Sequence, residues 1–274
     1  MENTIAYVDE GDGPPALFVH GVFMNSRLWR GVIDGVKDLR RCIAVDLPAH
    51  GRSPVGAATS LSDMADVLLR LCDDLGLDQV DLVGNDTGGA VCQVFAAAHP
   101  ERLRTFTLTN CDCHDNFPPA DFTQAVDLAK QGQLAPILLA MAADPELARS
   151  PIGLGSGYEN AAVLSDETVA DYLGHLVDHP ERAEALERFV AAATADDLLA
   201  AEPALRKLDA PTLVVWGTGD TFFEASWAAW LRDTIPGVEE VVEVDGAKLF
   251  FPDERPADLV APLRRFWSRH QPSS

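Results

Sequence analysis

Basic residues are scarce in this chain of 274 residues: 21 lysines and arginines stand against 43 aspartates and glutamates, a formal net charge of −22. Such a surface repels nucleic acid and anionic membranes, so neither is expected as a partner. The acidic residues are spread along the chain rather than gathered in a tail, which reads as a solvated surface. Long apolar runs are missing too. No stretch approaches the roughly 20 apolar residues that a membrane-crossing helix needs. The opening Met1-Glu2-Asn3-Thr4 has no basic segment leading into an apolar one. Cysteine is limited to five residues, Cys42, Cys72, Cys92, Cys111 and Cys113. An odd number without a secretion signal reads as reduced thiols in a cytoplasmic protein. Cys111-Asp112-Cys113 has neither a redox nor a common zinc spacing, so no metal and no cofactor is expected.

The remaining composition, 47% hydrophobic and 23% charged, is that of an ordinary globular chain able to bury a sizeable core. Short apolar runs at Ala16–Val19, Ile43–Val45, Val80–Val83, Phe106–Leu108, Thr212–Trp216 and Val241–Val244 read as strands, several buried on both faces. Helix patterns lie between them. Leu61, Met64, Ala65, Leu68, Leu71, Cys72 and Leu75 recur at helical spacing, with Ser60 or Ser62 to cap the start and Gly76 to end it. Strands alternating with helices imply an α/β fold, a mostly parallel, doubly wound sheet with right-handed crossovers. The alternation stops between about Asn116 and Leu208. Helical runs at Ala125–Lys130, Ala135–Ala142, Asp166–His175 and Ala183–Ala193 follow one another there without a convincing strand. The expected organisation is a core over residues 1–115, an inserted helical lid over 116–208 and the rest of the core over 209–274.

Chemistry concentrates in Gly84-Asn85-Asp86-Thr87-Gly88-Gly89, where a strand runs through a sharp turn into a helix. This has the shape of a nucleophile elbow, G-x-Nu-x-G, whose tight packing demands glycine on both sides. The lifted side chain would be Asp86, beside a helix N-terminus that favours negative charge. A strand-to-helix turn with a capping aspartate is the alternative reading of that segment alone.

Further segments occur in order along the chain. Leu17-Phe-Val-His-Gly-Val-Phe-Met-Asn-Ser-Arg-Leu-Trp29 resembles the His-Gly oxyanion-hole loop of the α/β-hydrolases, and Asp46-Leu-Pro-Ala-His-Gly-Arg-Ser53 resembles their next strand-end loop. His99-Pro-Glu-Arg102 resembles the close of the elbow helix, Trp216-Gly-Thr-Gly-Asp220 the strand end carrying the acid, and Phe251-Pro-Asp-Glu-Arg-Pro256 the segment after the histidine. An aspartate at the elbow is similar to the branch holding haloalkane dehalogenases and epoxide hydrolases. That resemblance implies the α/β-hydrolase fold and a carboxylate that attacks an sp³ carbon, after which a histidine–acid pair activates water. It further implies Asp86 as nucleophile, the backbone N–H groups of Val22 and Thr87 as oxyanion hole, and Asp220 as acid with Asp112 the second candidate.

The pattern then fails at one position. Counting back from Glu254-Arg255-Pro256 puts Leu249 where the family has its histidine, with Lys248 beside it, and no histidine lies between Asp220 and Trp267. Without a base, an ester on Asp86 would form but scarcely turn over. Thr87 and Val22 also stand where dehalogenases of this type carry halide-binding residues. Candidate substitutes for the missing groups are His114, His175 and His179, with His175 favoured because Tyr172 lies one helical turn before it. Lys248 is a further charge partner, and Tyr158 and Tyr172 are the lid tyrosines available as acids. Phe117, Leu134, Ile137, Leu138, Met141, Trp227 and Trp230 are candidates to line an apolar pocket. Three functions stay open: hydrolysis of a small neutral apolar electrophile such as an epoxide, C–halogen compound or ester; lyase, isomerase or cyclase chemistry with Asp86 as acid or base; and non-catalytic binding of a small ligand. A small apolar organic substrate is the expected partner, and homodimerisation stays open.

Overall fold

The computed structural model describes residues 5–271. Seven strands form one sheet: β1 (Tyr7–Glu10), β2 (Pro15–Val19), β3 (Arg41–Val45), β4 (Val80–Asn85), β5 (Leu103–Thr109), β6 (Thr212–Gly217) and β7 (Val238–Val244). Their spatial order is β1-β3-β2-β4-β5-β6-β7, and every pair is parallel except β1 with β3. The α/β-hydrolase fold read from the sequence is therefore the fold of the protein. All six sequence-located strands form, each lengthened by one to four residues. The strand that the apolar pattern missed is β1, whose Tyr-Val-Asp-Glu sequence is only half buried at the sheet edge.

β4 and β6 are buried along their whole length, which is why they read as apolar runs rather than alternating ones. The chain enters β2, crosses to β3 on one side and returns to β4 on the other. β2 and β4 are thus neighbours whose carboxyl ends flank a topological switch point, the usual place for a ligand in an open α/β sheet.

Helices cover the sheet in two layers. α1 (Arg30–Val36) packs on the C-terminal helix α13 (Ala257–Arg269), and α2 (Leu61–Asp74) packs on α3 (Thr87–Ala98). Ser60 starts α2 through a reciprocal capping box with Asp63, and Gly76 follows its end at φ +65°.

Between β5 and β6 come α4 (Thr123–Lys130), α5 (Leu134–Ala143), α6 (Pro145–Arg149), α7 (Asp166–Leu173), α8 (His175–Asp178), α9 (Pro180–Ala191) and α10 (Asp196–Leu205). No strand forms in this stretch among the described residues. The run expected to be one helix over Asp166–His175 is split at Gly174, which separates α7 from α8. α9 packs on α4 and α5, whereas α10 packs on α3 and so belongs to the layer over the sheet. After β6 come α11 (Ser226–Thr234) and the short α12 (Phe251–Glu254). No described helix is long and apolar enough to cross a membrane.

Candidate active site

β4 delivers its last residue, Asn85, into a turn that α3 leaves at Thr87, and Asp86 between them has φ 55° and ψ −139°. A non-glycine residue holds such a backbone at a cost of about 1–3 kcal/mol, so its surroundings must impose it. They do. The Asp86 N–H donates to the Asn110 carbonyl at 2.8 Å, and its own carbonyl accepts from the Gly89 N–H at 2.9 Å. Two close approaches explain the glycines. A Cβ on Gly88 would collide with the carbonyls of Val19 and His20, and a Cβ on Gly21 would collide with the Asp86 carboxylate. The His-Gly loop therefore lies directly against the elbow, with the N–H groups of Val22 and Thr87 aimed at the Asp86 carboxylate.

Those donors do not decide the protonation of Asp86. Burial pushes its pKa up to about 8, the Asp220 charge adds to the rise, and the Thr87 and Val22 N–H groups only partly oppose it. Asp220 sits in the loop after β6. Asn110 Nδ2 donates to its Oδ2 at 2.8 Å and the Phe222 N–H to its Oδ1 at 3.0 Å. Burial still raises Asp220 to about 6. Asn110, which the sequence pattern did not single out, ties the two together: its carbonyl holds the Asp86 backbone while its amide holds the Asp220 carboxylate. Its position directly after β5, at the mouth of a parallel sheet, is the signal that could have marked it.

Asp86 opens into a cavity of about 640 Å³ between the sheet end and the insertion. Its walls are mostly apolar, and Val22, Thr87, Asp112, Phe117, Leu134, Ile137, Leu138, Met141 and Leu249 all contribute. The cavity thus gathers Asp86, Val22 and Thr87, which the resemblance offered as an oxyanion hole, Asp112 and five of the seven expected apolar residues. The other two, Trp227 and Trp230, lie outside it: they face each other edge-on, and Trp230 stacks on His114.

No histidine, lysine, arginine or tyrosine is among the described residues that line the cavity. Each substitute suggested by the sequence lies away from the cavity. His175 turns toward the His20, Ala49 and Asp46 side of the molecule, where burial lowers its pKa to about 4. His114 binds Glu202 at 2.6 Å, and His179 pairs with Glu181 on the surface. His20 and His50 brace their loops, accepting from the Leu47 and Phe23 N–H groups. The Lys248 Nζ reaches the Ser156 carbonyl at 3.5 Å rather than any site carboxylate. Tyr158 donates to Asp253 at 3.0 Å, and Tyr172 lies fully buried beside the same Asp253. Tyr158, with Arg30 on the other Asp253 oxygen at 3.4 Å, fastens the insertion to the core, and neither tyrosine is among the residues that line the cavity. Leu249, by contrast, does line it. The Leu249 carbonyl accepts from Asn85 Nδ2 at 3.0 Å, which fixes this loop beside the elbow.

Comparison with known proteins gives the family. Residues 14–148 match the alpha/beta hydrolase fold family. A 2-hydroxy-6-oxononadienedioate/2-hydroxy-6-oxononatrienedioate hydrolase of Burkholderia vietnamiensis is 30% identical over 230 residues, covering 81% of this chain and 76% of the relative. Haloalkane dehalogenase 2 of Mycobacterium tuberculosis is 28% identical over 271 residues, covering 94% of this chain and 90% of the relative. Among solved structures, the epoxide hydrolase CorEH superposes with a TM-score of 0.79 at 21% identity over 97% of each chain. The chain belongs to the alpha/beta hydrolase fold family.

Proposed function

We propose that the protein is a small-molecule enzyme in which Asp86 moves a proton on a largely apolar substrate, in place of forming an ester that water then cleaves. The observation that carries this reading is the lining of the cavity: Asp86 faces mostly apolar side chains, and no histidine is among the described residues that line it. A buried carboxyl raised to about 8 exchanges its proton near neutral pH, as an acid–base group needs to. The substrate class that suits a cavity of about 640 Å³ with such walls is a neutral, ring-sized organic molecule.

Hydrolysis is the second reading. It is favoured by the Val22 and Thr87 N–H groups that flank Asp86 and by the hydrolase named among the relatives. The two separate cleanly by isotope. Wild-type protein is incubated with styrene oxide or 1-bromobutane in H₂¹⁸O, and the peptide containing Asp86 is weighed. The expected result is an unlabelled carboxyl. Label in Asp86 together with diol or alcohol release would overturn the proton-transfer reading. Alongside, 5-nitrobenzisoxazole reports C–H proton abstraction by releasing a coloured cyanophenolate. Wild type should catalyse that opening, and Asp86→Asn should lose it by about 100-fold or more.

A further inference from the structure

Asp112 is a fully buried cavity carboxyl to which no protein group hydrogen-bonds. It is 1% exposed, and neither of its side-chain oxygens has a hydrogen-bond partner. The Thr87 side chain is near enough to favour its charge, yet falls short of a hydrogen bond. A buried carboxyl left unpaired costs stability, so such a group calls for an explanation outside the resting fold. The placement of Asp112 is not loose. Gln93, on the second turn of α3, donates to the Asp112 carbonyl at 2.7 Å, and the neighbouring Cys111 is pressed against Gly89. The Asn110 carbonyl, two residues earlier, receives the Asp86 N–H. The same short loop therefore positions the elbow backbone and aims a second carboxyl into the same cavity.

We propose that Asp112 is the proton donor that complements Asp86, giving the cavity an acid and a base for a substrate that loses a C–H proton while an oxygen gains one. The inference rests on the proton-transfer reading above and names its substrate class: a mainly apolar carbonyl compound or oxygen heterocycle with an acidic C–H. The division of labour follows from the surroundings. The Val22 and Thr87 N–H groups face Asp86 and favour its anion, so Asp86 is the base; Asp112, the more deeply buried at 1% against 6% exposure and with neither carboxyl oxygen hydrogen-bonded, keeps its proton until an oxygen takes it. In the step, the Asp86 carboxylate takes the proton from carbon. The C–H electron pair becomes a π bond, and electrons shift onto the substrate oxygen by enolisation or C–O or N–O cleavage. The Asp112 carboxyl then protonates that oxygen. Charge passes from Asp86 to Asp112, and return of one proton from Asp86 to Asp112 resets the pair with no net change in the enzyme.

The test uses two probes that differ in the acidity of the departing phenol, 5-nitrobenzisoxazole and unsubstituted benzisoxazole. Protonation of the departing oxygen matters most for the unsubstituted probe. In wild type the rate ratio of the two should be compressed at least tenfold relative to the ratio given by acetate, a carboxylate base without an acid partner. Asp112→Asn should slow the unsubstituted probe by roughly 100-fold, the scale of a lost general acid, and the nitro probe only a few-fold. Equal slowing of both, no slowing, or an acetate-like ratio in wild type would each overturn the role of Asp112 while leaving Asp86 as base. Full activity in Asp86→Asn, or no elimination by wild type, would overturn the underlying reading as well. The wild-type ratio needs no variant, so a poorly folding Asp112→Asn would not blunt the test.

Discussion

Asp46 and Asp86 are both buried, and both follow directly on a parallel strand of the same sheet, yet their chemistry diverges. Asp46 accepts from the Ser26 N–H at 2.8 Å and the Arg52 N–H at 2.9 Å, and the Arg52 guanidinium lies 3.5 Å away. Burial works against its charge, but these donors prevail and hold its pKa below the usual carboxylate range. Asp86 has fewer donors, a second carboxylate in range and an apolar cavity before it, and it rises to about 8. Deeper still, Asp81 is matched by Arg40 at 2.6 Å, Arg104 at 3.3 Å and Thr105 at 2.7 Å. Burial alone does not make a carboxyl reactive; the supply of partners decides whether it is a structural anion or a carrier of protons.

That contrast can be broken from either side. The largest effect is expected at Asp81, where Asp81→Ala leaves the fully buried Arg40 guanidinium without its partner. It should cost about 3–5 kcal/mol, read as a fall in the urea midpoint. Asp46→Ala strands the two N–H groups and should cost about 1–3 kcal/mol in the same measurement. Asp112→Asn removes a carboxyl that makes no protein hydrogen bond, and its midpoint should move by no more than about 1 kcal/mol in either direction.

A further effect, read as a slope against pH, sharpens the comparison. Because Asp86 titrates higher in the folded state than in the unfolded chain, the folded state binds the extra proton. Its contribution to stability is complete below the unfolded carboxylate pKa of about 4 and is lost as pH rises through about 8. Wild type should therefore lose stability relative to Asp86→Asn between those limits, as urea midpoints of the two at pH 5 and pH 9 will tell. Asp46 has the opposite sign: its lowered pKa stabilises above the unfolded value and fades only in acid. Asp46→Asn should accordingly narrow its stability gap to wild type as the pH is lowered.

The sequence made the fold legible because strand runs, the elbow glycines and the Asp46 loop are local signals, each imposed by contacts that the fold requires. It also brought Asp86, Val22, Thr87, Asp112 and Asp220 forward through their places at strand ends. What it did not convey was orientation. Tyr158, Tyr172 and His175 belong to the insertion, where helical spacing gives a face but not which neighbour that face meets; the tyrosines meet Asp253 and the histidine the Asp46 loop. Trp227 and Trp230 sit beside Asp220 in sequence, but α11 packs on β6 and β7, away from the cavity. Asp112 drew attention as an alternative acid, whereas its isolation from hydrogen-bond partners is a tertiary fact that no spacing expresses.

The hydrogen bond from Asn85 to the Leu249 carbonyl has a wider meaning. It grips the loop by its main chain, so the loop keeps its station whatever side chain position 249 carries. The residue there is exchangeable cargo on a fixed mount. A side chain at 249 can thus be exchanged without loss of this main-chain anchor.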